Sequence, residues 1–163
     1  MSRQRAETKV KTEDDGFDVA NRLFFRLYQA SNLMHKAGTS AVIDFGVTTQ
    51  QWAVLGALSR PQAEARGLSV KELMDYLMVS RQSLTAILDR LEAQDLVERV
   101  KVNDGGDGRL RHVRLTTRGV RTWKELLPSI QSFYAAALAE FSLEESFLLM
   151  RLLDRLSVGL AKL

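Results

Sequence analysis

The chain has 163 residues, 45% of them hydrophobic and 26% charged, enough for one compact domain and short for two. No apolar run approaches bilayer length, and the basic start Met1-Ser2-Arg3-Gln4-Arg5 leads into no signal stretch, so a cytoplasmic protein without membrane partners is expected. The absence of cysteine excludes disulfides, thiolate zinc sites and thiol redox switching.

The net charge of +3 is mild, but it is unevenly placed. Between Arg99 and Arg121 stand seven basic residues against two acids, Asp104 and Asp107. A solvated face and a phosphate-contacting surface both fit such a run, and its position in the fold decides between them.

Residues 1–16 are polar, alternate in charge and are expected to form a flexible arm. From Phe17 the apolar set Ala20, Leu23, Phe24, Leu27, Tyr28 and Met34 recurs at helical spacing, and Gly38 is expected to end that helix. Thr48-Thr49-Gln50-Gln51 has the spacing of a capping box, with Trp52, Leu55 and Leu58 following on one face. Residues 60–68 read as a loop.

Ser69-Val70-Lys71-Glu72 is a second capping box and opens a helix of about two turns, ending near Met78. Ser80 caps the next helix, whose inward face is Leu84, Ile87, Leu88 and Leu91. The two form a helix-turn-helix candidate. The outward face of the second presents Arg81, Gln82, Thr85, Ala86 and Asp89, which include side chains able to read base edges.

Leu96 to Val102 and Arg111 to Leu115 read as strands joined by the tip Asn103-Asp104-Gly105-Gly106-Asp107-Gly108-Arg109-Leu110. The tip lacks the lysine and following helix of a phosphate-binding loop. A basic hairpin directly after a helix-turn-helix is a wing, with Arg109 and Arg111 placed for phosphates or the minor groove. A long helix then runs from Thr116-Thr117 to about Glu140, and Pro128 is expected to bend or interrupt it. Ser142-Leu143-Glu144-Glu145 caps a last helix to Leu163, whose leucines exceed what one core needs and suggest a dimer built from both termini.

The chemistry of an enzyme is missing. His35 and His112 lie in unrelated elements, and no paired carboxylates, metal-ligand spacing or nucleophile elbow is present. No catalytic residue, metal or cofactor is therefore expected. The competing reading to DNA binding is a non-catalytic helical protein-interaction domain with a merely solvated basic hairpin.

Leu68-Ser69-Val70-Lys71-Glu72-Leu73, Ser80 to Thr85, Leu91 to Arg99, Asp107-Gly108-Arg109 and Leu115 to Gly119 occur in that order. Through these landmarks the chain, from Phe17 to Leu163, resembles the MarR family of winged helix-turn-helix regulators. Its wing tip is richer in glycine than the family pattern, and the loop from Arg60 to Gly67 is slightly long.

The resemblance implies a mainly α fold with a small β-hairpin, a winged helix-turn-helix flanked by N- and C-terminal dimerisation helices. The DNA-binding region would span 48–119 and the dimerisation region 17–47 and 120–163. It further implies a homodimeric repressor on double-stranded DNA with a palindromic operator, released by a small aromatic effector. Ser80, Arg81, Gln82, Ser83, Thr85, Arg90, Arg109 and Arg111 would contact DNA. The effector cleft would involve Phe24, Tyr28, Asn32, His35, Trp52 and Met74.

Arg26 to Gln29, Leu33 to Thr39 and Thr48 to Leu55 further resemble the branch controlling catabolism of plant-derived aromatic acids. Some members of that branch answer to an aromatic acyl-CoA thioester, whose phosphates would require cations such as Arg22, Arg26, Lys36 and Arg60.

Overall fold

The computed structural model describes the backbone of residues 2–101 and 111–163, with side chains from residue 15 onward within those ranges. A long helix α1 (Ser2–Val42) and a single 3-10 turn (Ile43–Phe45) lead into α2 (Thr49–Leu58) and α3 (Pro61–Arg66). Strand β1 (Leu68–Ser69) precedes α4 (Val70–Leu77) and α5 (Arg81–Ala93). Strands β2 (Val97–Lys101) and β3 (Arg111–Leu115) follow, then α6 (Thr117–Ala137) and α7 (Leu143–Leu160). The strands make one antiparallel sheet in the order β1-β3-β2, with Val113 opposite both Leu68 and Arg99.

Local chemistry sets the helix starts. Thr48 and Gln51, Ser69 and Glu72, and Ser142 and Glu145 each form a reciprocal capping box, satisfying amide groups that a helix N-terminus leaves orphaned. Between α4 and α5 the chain turns at Met78, a left-handed residue with φ of 52°. The core joins Leu55 and Leu58 of α2, Leu73 of α4, Leu84, Leu88 and Leu91 of α5, Val113 of β3 and Leu126 of α6. Burial of this set holds the recognition elements and the sheet on one scaffold.

Several expectations are corrected. Residues 2–16, expected as an arm, are helical and continuous with α1; their Ala, Glu, Lys and Arg content favours that conformation. Gly38 does not end α1. A Cβ there would stand 2.9 Å from Thr49 Oγ1 and 3.0 Å from the Trp52 ring, so this glycine lets α1 approach α2.

The stretch 60–68 is not a plain loop. Pro61 opens α3 at a position where a missing amide costs nothing, and Leu68 pairs with β3. Helix α6 also passes through Pro128 without ending. Val102 and the hairpin tip lie outside the described residues.

Helix α7 is exposed except at the half-buried Ser146, Leu156 and Ser157. Phe147, Leu148, Leu149, Leu152 and Leu153 all face solvent in the single chain, as do Phe17, Leu23, Phe24 and Phe25 of α1. An apolar surface of this extent is characteristic of a protein–protein interface.

Candidate nucleic-acid interface

Helix α5 buries Leu84, Ile87, Leu88 and Leu91 and turns Arg81, Gln82, Thr85, Asp89 and Arg90 outward. Its start is fixed internally. Ser80 Oγ accepts the Ser83 amide at 3.2 Å and donates to Ser83 Oγ at 2.9 Å, while Thr85 Oγ1 donates to the Arg81 carbonyl at 2.8 Å. The hydroxyls of Ser80 and Thr85 thus already spend their protons within the helix. Arg81 and Gln82, both exposed on its first turn, offer the longest reach towards base edges.

The basic run divides into two groups. Arg99 on β2 is held by Asp89 and Glu92 of α5, and Arg114 on β3 by Glu98 of β2. Lys101 and Arg111 at the outer end of the sheet are exposed, as are Arg118 and Arg121 on α6. Arg109 lies outside the described residues. The cations outside these ion pairs sit on the wing and behind it, where they suit phosphate contact.

The wing root is anchored by polar contacts that sequence spacing did not reveal. His112, buried on β3, donates from Nδ1 to the Arg66 carbonyl at 3.0 Å, tying α3 to the sheet. Hydrogen bonding from the Arg66 guanidinium, with the Ser69 amide second, holds the Glu72 carboxyl down to about 2. This joins α3 to the start of α4.

The residues proposed for an effector cleft are dispersed in the single chain. Arg22, Phe24, Arg26, Tyr28, Asn32, His35 and Lys36 are exposed along α1, and Arg22 pairs with Asp18 at 2.7 Å. Trp52 is buried, its ring 5.7 Å from Phe133 and 5.8 Å from Tyr134. Met74 lines a different hollow, where α4 and its turn face Ser157, Leu160 and Ala161 at the end of α7. Arg60 stacks over Tyr76 at 4.6 Å.

Among the described residues no group of three acidic or histidine side chains is placed to hold a metal ion, and no helix is long and apolar enough to cross a membrane.

Residues 45–110 match the model of the MarR family. The chain is 47% identical over 146 residues to the transcriptional activatory protein BadR of Rhodopseudomonas palustris, covering 89% of this chain and 81% of that protein. It is 31% identical over 109 residues to the homoprotocatechuate degradative operon repressor of Escherichia coli, covering 66% of this chain and 69% of the repressor. In fold it is similar to the crystal structure of mutant MarR C80S from E. coli complexed with operator DNA, with a TM-score of 0.74 at 23% identity, over 86% of this chain and 96% of that one.

Proposed function

Because the chain belongs to the MarR family of winged helix-turn-helix regulators, we propose that it represses transcription as a homodimer on a palindromic operator and is released by a small aromatic effector. DNA-binding transcription regulation is the shared activity of that family, and it is not catalytic. The observation that carries the finer reading is the outward face of α5, with Arg81 and Gln82 on its first turn beside a basic wing. The unpartnered apolar surfaces of α1 and α7 support dimerisation through 17–47 and 120–163, leaving 48–119 to DNA.

The aromatic effector is supported by the degradative-operon relative, whose named compound is an aromatic acid. An aromatic acyl-CoA is the larger form of the same signal, its phosphates seated on Arg22, Arg26 and Lys36. Release requires that the effector favour a spacing of recognition helices unsuited to the operator. A second reading, activation, is favoured by the name of the 47% identical relative. The same binding act gives either sign, according to where the operator lies relative to the promoter.

The test pairs DNA titration at several salt concentrations with calorimetry of matched aromatic acids and their CoA thioesters. A protected symmetric site and a steep salt slope are expected, with affinity lost when the effector is present. Equal weak binding to every duplex would overturn the reading. Transcript levels in a deletion strain assign the sign, rising for repression and falling for activation.

A further inference from the structure

Gln51, near the start of α2, is buried, and Gln94, at the end of the recognition helix α5, is half-buried beside it. Their side-chain amides form a relay with one direction. Gln51 Oε1 accepts the Thr48 amide at 2.9 Å, which leaves its Nε2 to donate to Gln94 Oε1 at 3.2 Å. Gln94 Nε2 then donates to the Gly46 carbonyl at 3.0 Å, where the chain leaves the 3-10 turn behind α1. Both amide orientations follow from the two backbone ends of the relay, since Thr48 N–H only donates and Gly46 C=O only accepts.

The start of α2 is tied to α1 in the same manner. Thr49, also buried, donates from Oγ1 to the His35 carbonyl at 2.9 Å, and its amide donates to Thr39 Oγ1 at 3.2 Å. The Thr39 hydroxyl donates in turn to Thr49 Oγ1 at 2.9 Å. Residues 46–51 are therefore the place where directional bonds join α1 to the end of the recognition helix.

Helix α5 does not need the Gln94 side chain for its own closure. The Asp95 amide donates to the Glu92 carbonyl at 3.0 Å and the Leu96 amide to the Leu91 carbonyl at 2.9 Å, with Asp95 left-handed at a φ of 58°. The inward leucines hold α5 on the core, but apolar contact is non-directional and tolerates a tilt. What the relay adds is an angle. Arg81 and Gln82 stand about 18 Å along the helix from Gln94, so a tilt of about 10° about that end moves them by about 3 Å, close to the ~3.4 Å step of one base pair.

We propose that Gln94, held by Gln51, is a positioning residue that sets the separation of the two recognition helices in the dimer, and with it the half-site spacing an operator must have. This rests on the operator reading above and deepens it. In a two-fold dimer the same displacement occurs in both copies, so loss of the relay changes the accepted spacing by one or two base pairs. The side chains that read each half-site are untouched.

The test uses the full chain and a library of random duplexes. Gln94→Met removes both relay bonds at similar side-chain length, and Gln51→Glu keeps the α2 capping box while removing the donor to Gln94. If the buried Gln51→Glu does not fold, Gln94→Met decides alone. The parent chain is expected to enrich paired half-sites at one separation. The variants should enrich the same half-site sequence with the separation shifted or spread by one or two base pairs. They should bind the parent's site about tenfold less tightly, yet bind a duplex with a single half-site as the parent does. Because the chain has no cysteine, Ala86→Cys on the exposed face of α5 takes one spin label per copy. The distance between the two labels, narrow in the parent dimer, should shift or broaden when Gln94→Met is added, with no DNA present. Parental spacing and label distance in Gln94→Met would overturn the proposal, as would an equal loss on single and paired half-sites, the mark of a merely structural role. A parent chain that enriches no paired site would overturn the operator reading and this inference with it, whereas the other two outcomes overturn this inference alone.

Discussion

The guanidinium of Arg99 on the wing strand β2 reaches Asp89 on the recognition helix α5 at 2.7 Å, and its other nitrogen binds Glu92. One cation therefore fastens the wing to the helix it flanks and covers two carboxylates on a helix whose outer face is proposed to meet DNA. Replacing it with methionine should uncover both acids near phosphate and weaken operator and random DNA alike, by about tenfold. Adding Asp89→Asn and Glu92→Gln should recover most of that loss, because the repulsion is removed with its source. Fluorescence anisotropy at two salt concentrations checks both outcomes; an unrescued loss would identify Arg99 as a direct phosphate ligand.

Helix and wing should separate in a base-preference assay. Gln82→Ala is expected to relax discrimination at one position of each half-site, costing about 1–3 kcal/mol there. Arg111→Ala should instead weaken all duplexes and lower the salt slope by about one unit. Binding-site selection with each variant distinguishes a base reader from a phosphate ligand.

The exposed leucines of α7 are suited to an interface test. Leu153→Glu places a charge on a surface that is 40% exposed in the single chain. Within a buried dimer contact that charge is unpaired, so sedimentation should show monomer, and operator affinity should collapse with the loss of joint half-site binding. A folded dimer of unchanged mass would place this leucine outside the contact.

Glu72 predicts an acid-limb effect on stability. Its folded pKa, about 2, lies below the ordinary value of 4.5, chiefly through the Arg66 hydrogen bond and then the Ser69 amide. The stabilisation is therefore present above pH 4.5 and is lost as pH falls towards 2. The pair is partly exposed and screened, so the contribution is modest. Urea unfolding across this window should show a shallower loss for Glu72→Gln than for the parent chain.

Features governed by near neighbours were readable from the residue order. Thr48 and Gln51, Ser69 and Glu72, and Ser142 and Glu145 formed the expected caps because each box spans only three positions and closes on its own backbone. The buried face of α5 was equally legible, since 3.6-residue periodicity places Leu84, Ile87, Leu88 and Leu91 on one side wherever the helix lies. The landmarks from Leu68 to Gly119 carried the family for the same reason.

Contacts between distant segments required the folded chain. Gly38 reads as a helix stop, yet the approach of Thr49 and Trp52 makes it a packing position within α1. Leu68 becomes a strand residue only because β3 lies beside it, with His112 tying the preceding helix to the sheet. The basic run looked uniform until Asp89, Glu92 and Glu98 were brought against Arg99 and Arg114. A hollow beside Trp123 is walled by residues as far apart in the chain as Leu58 and Leu127. Periodicity and capping are local energies and persist in any register of packing, whereas an ion pair or cavity wall exists only once core burial has set which remote side chains meet.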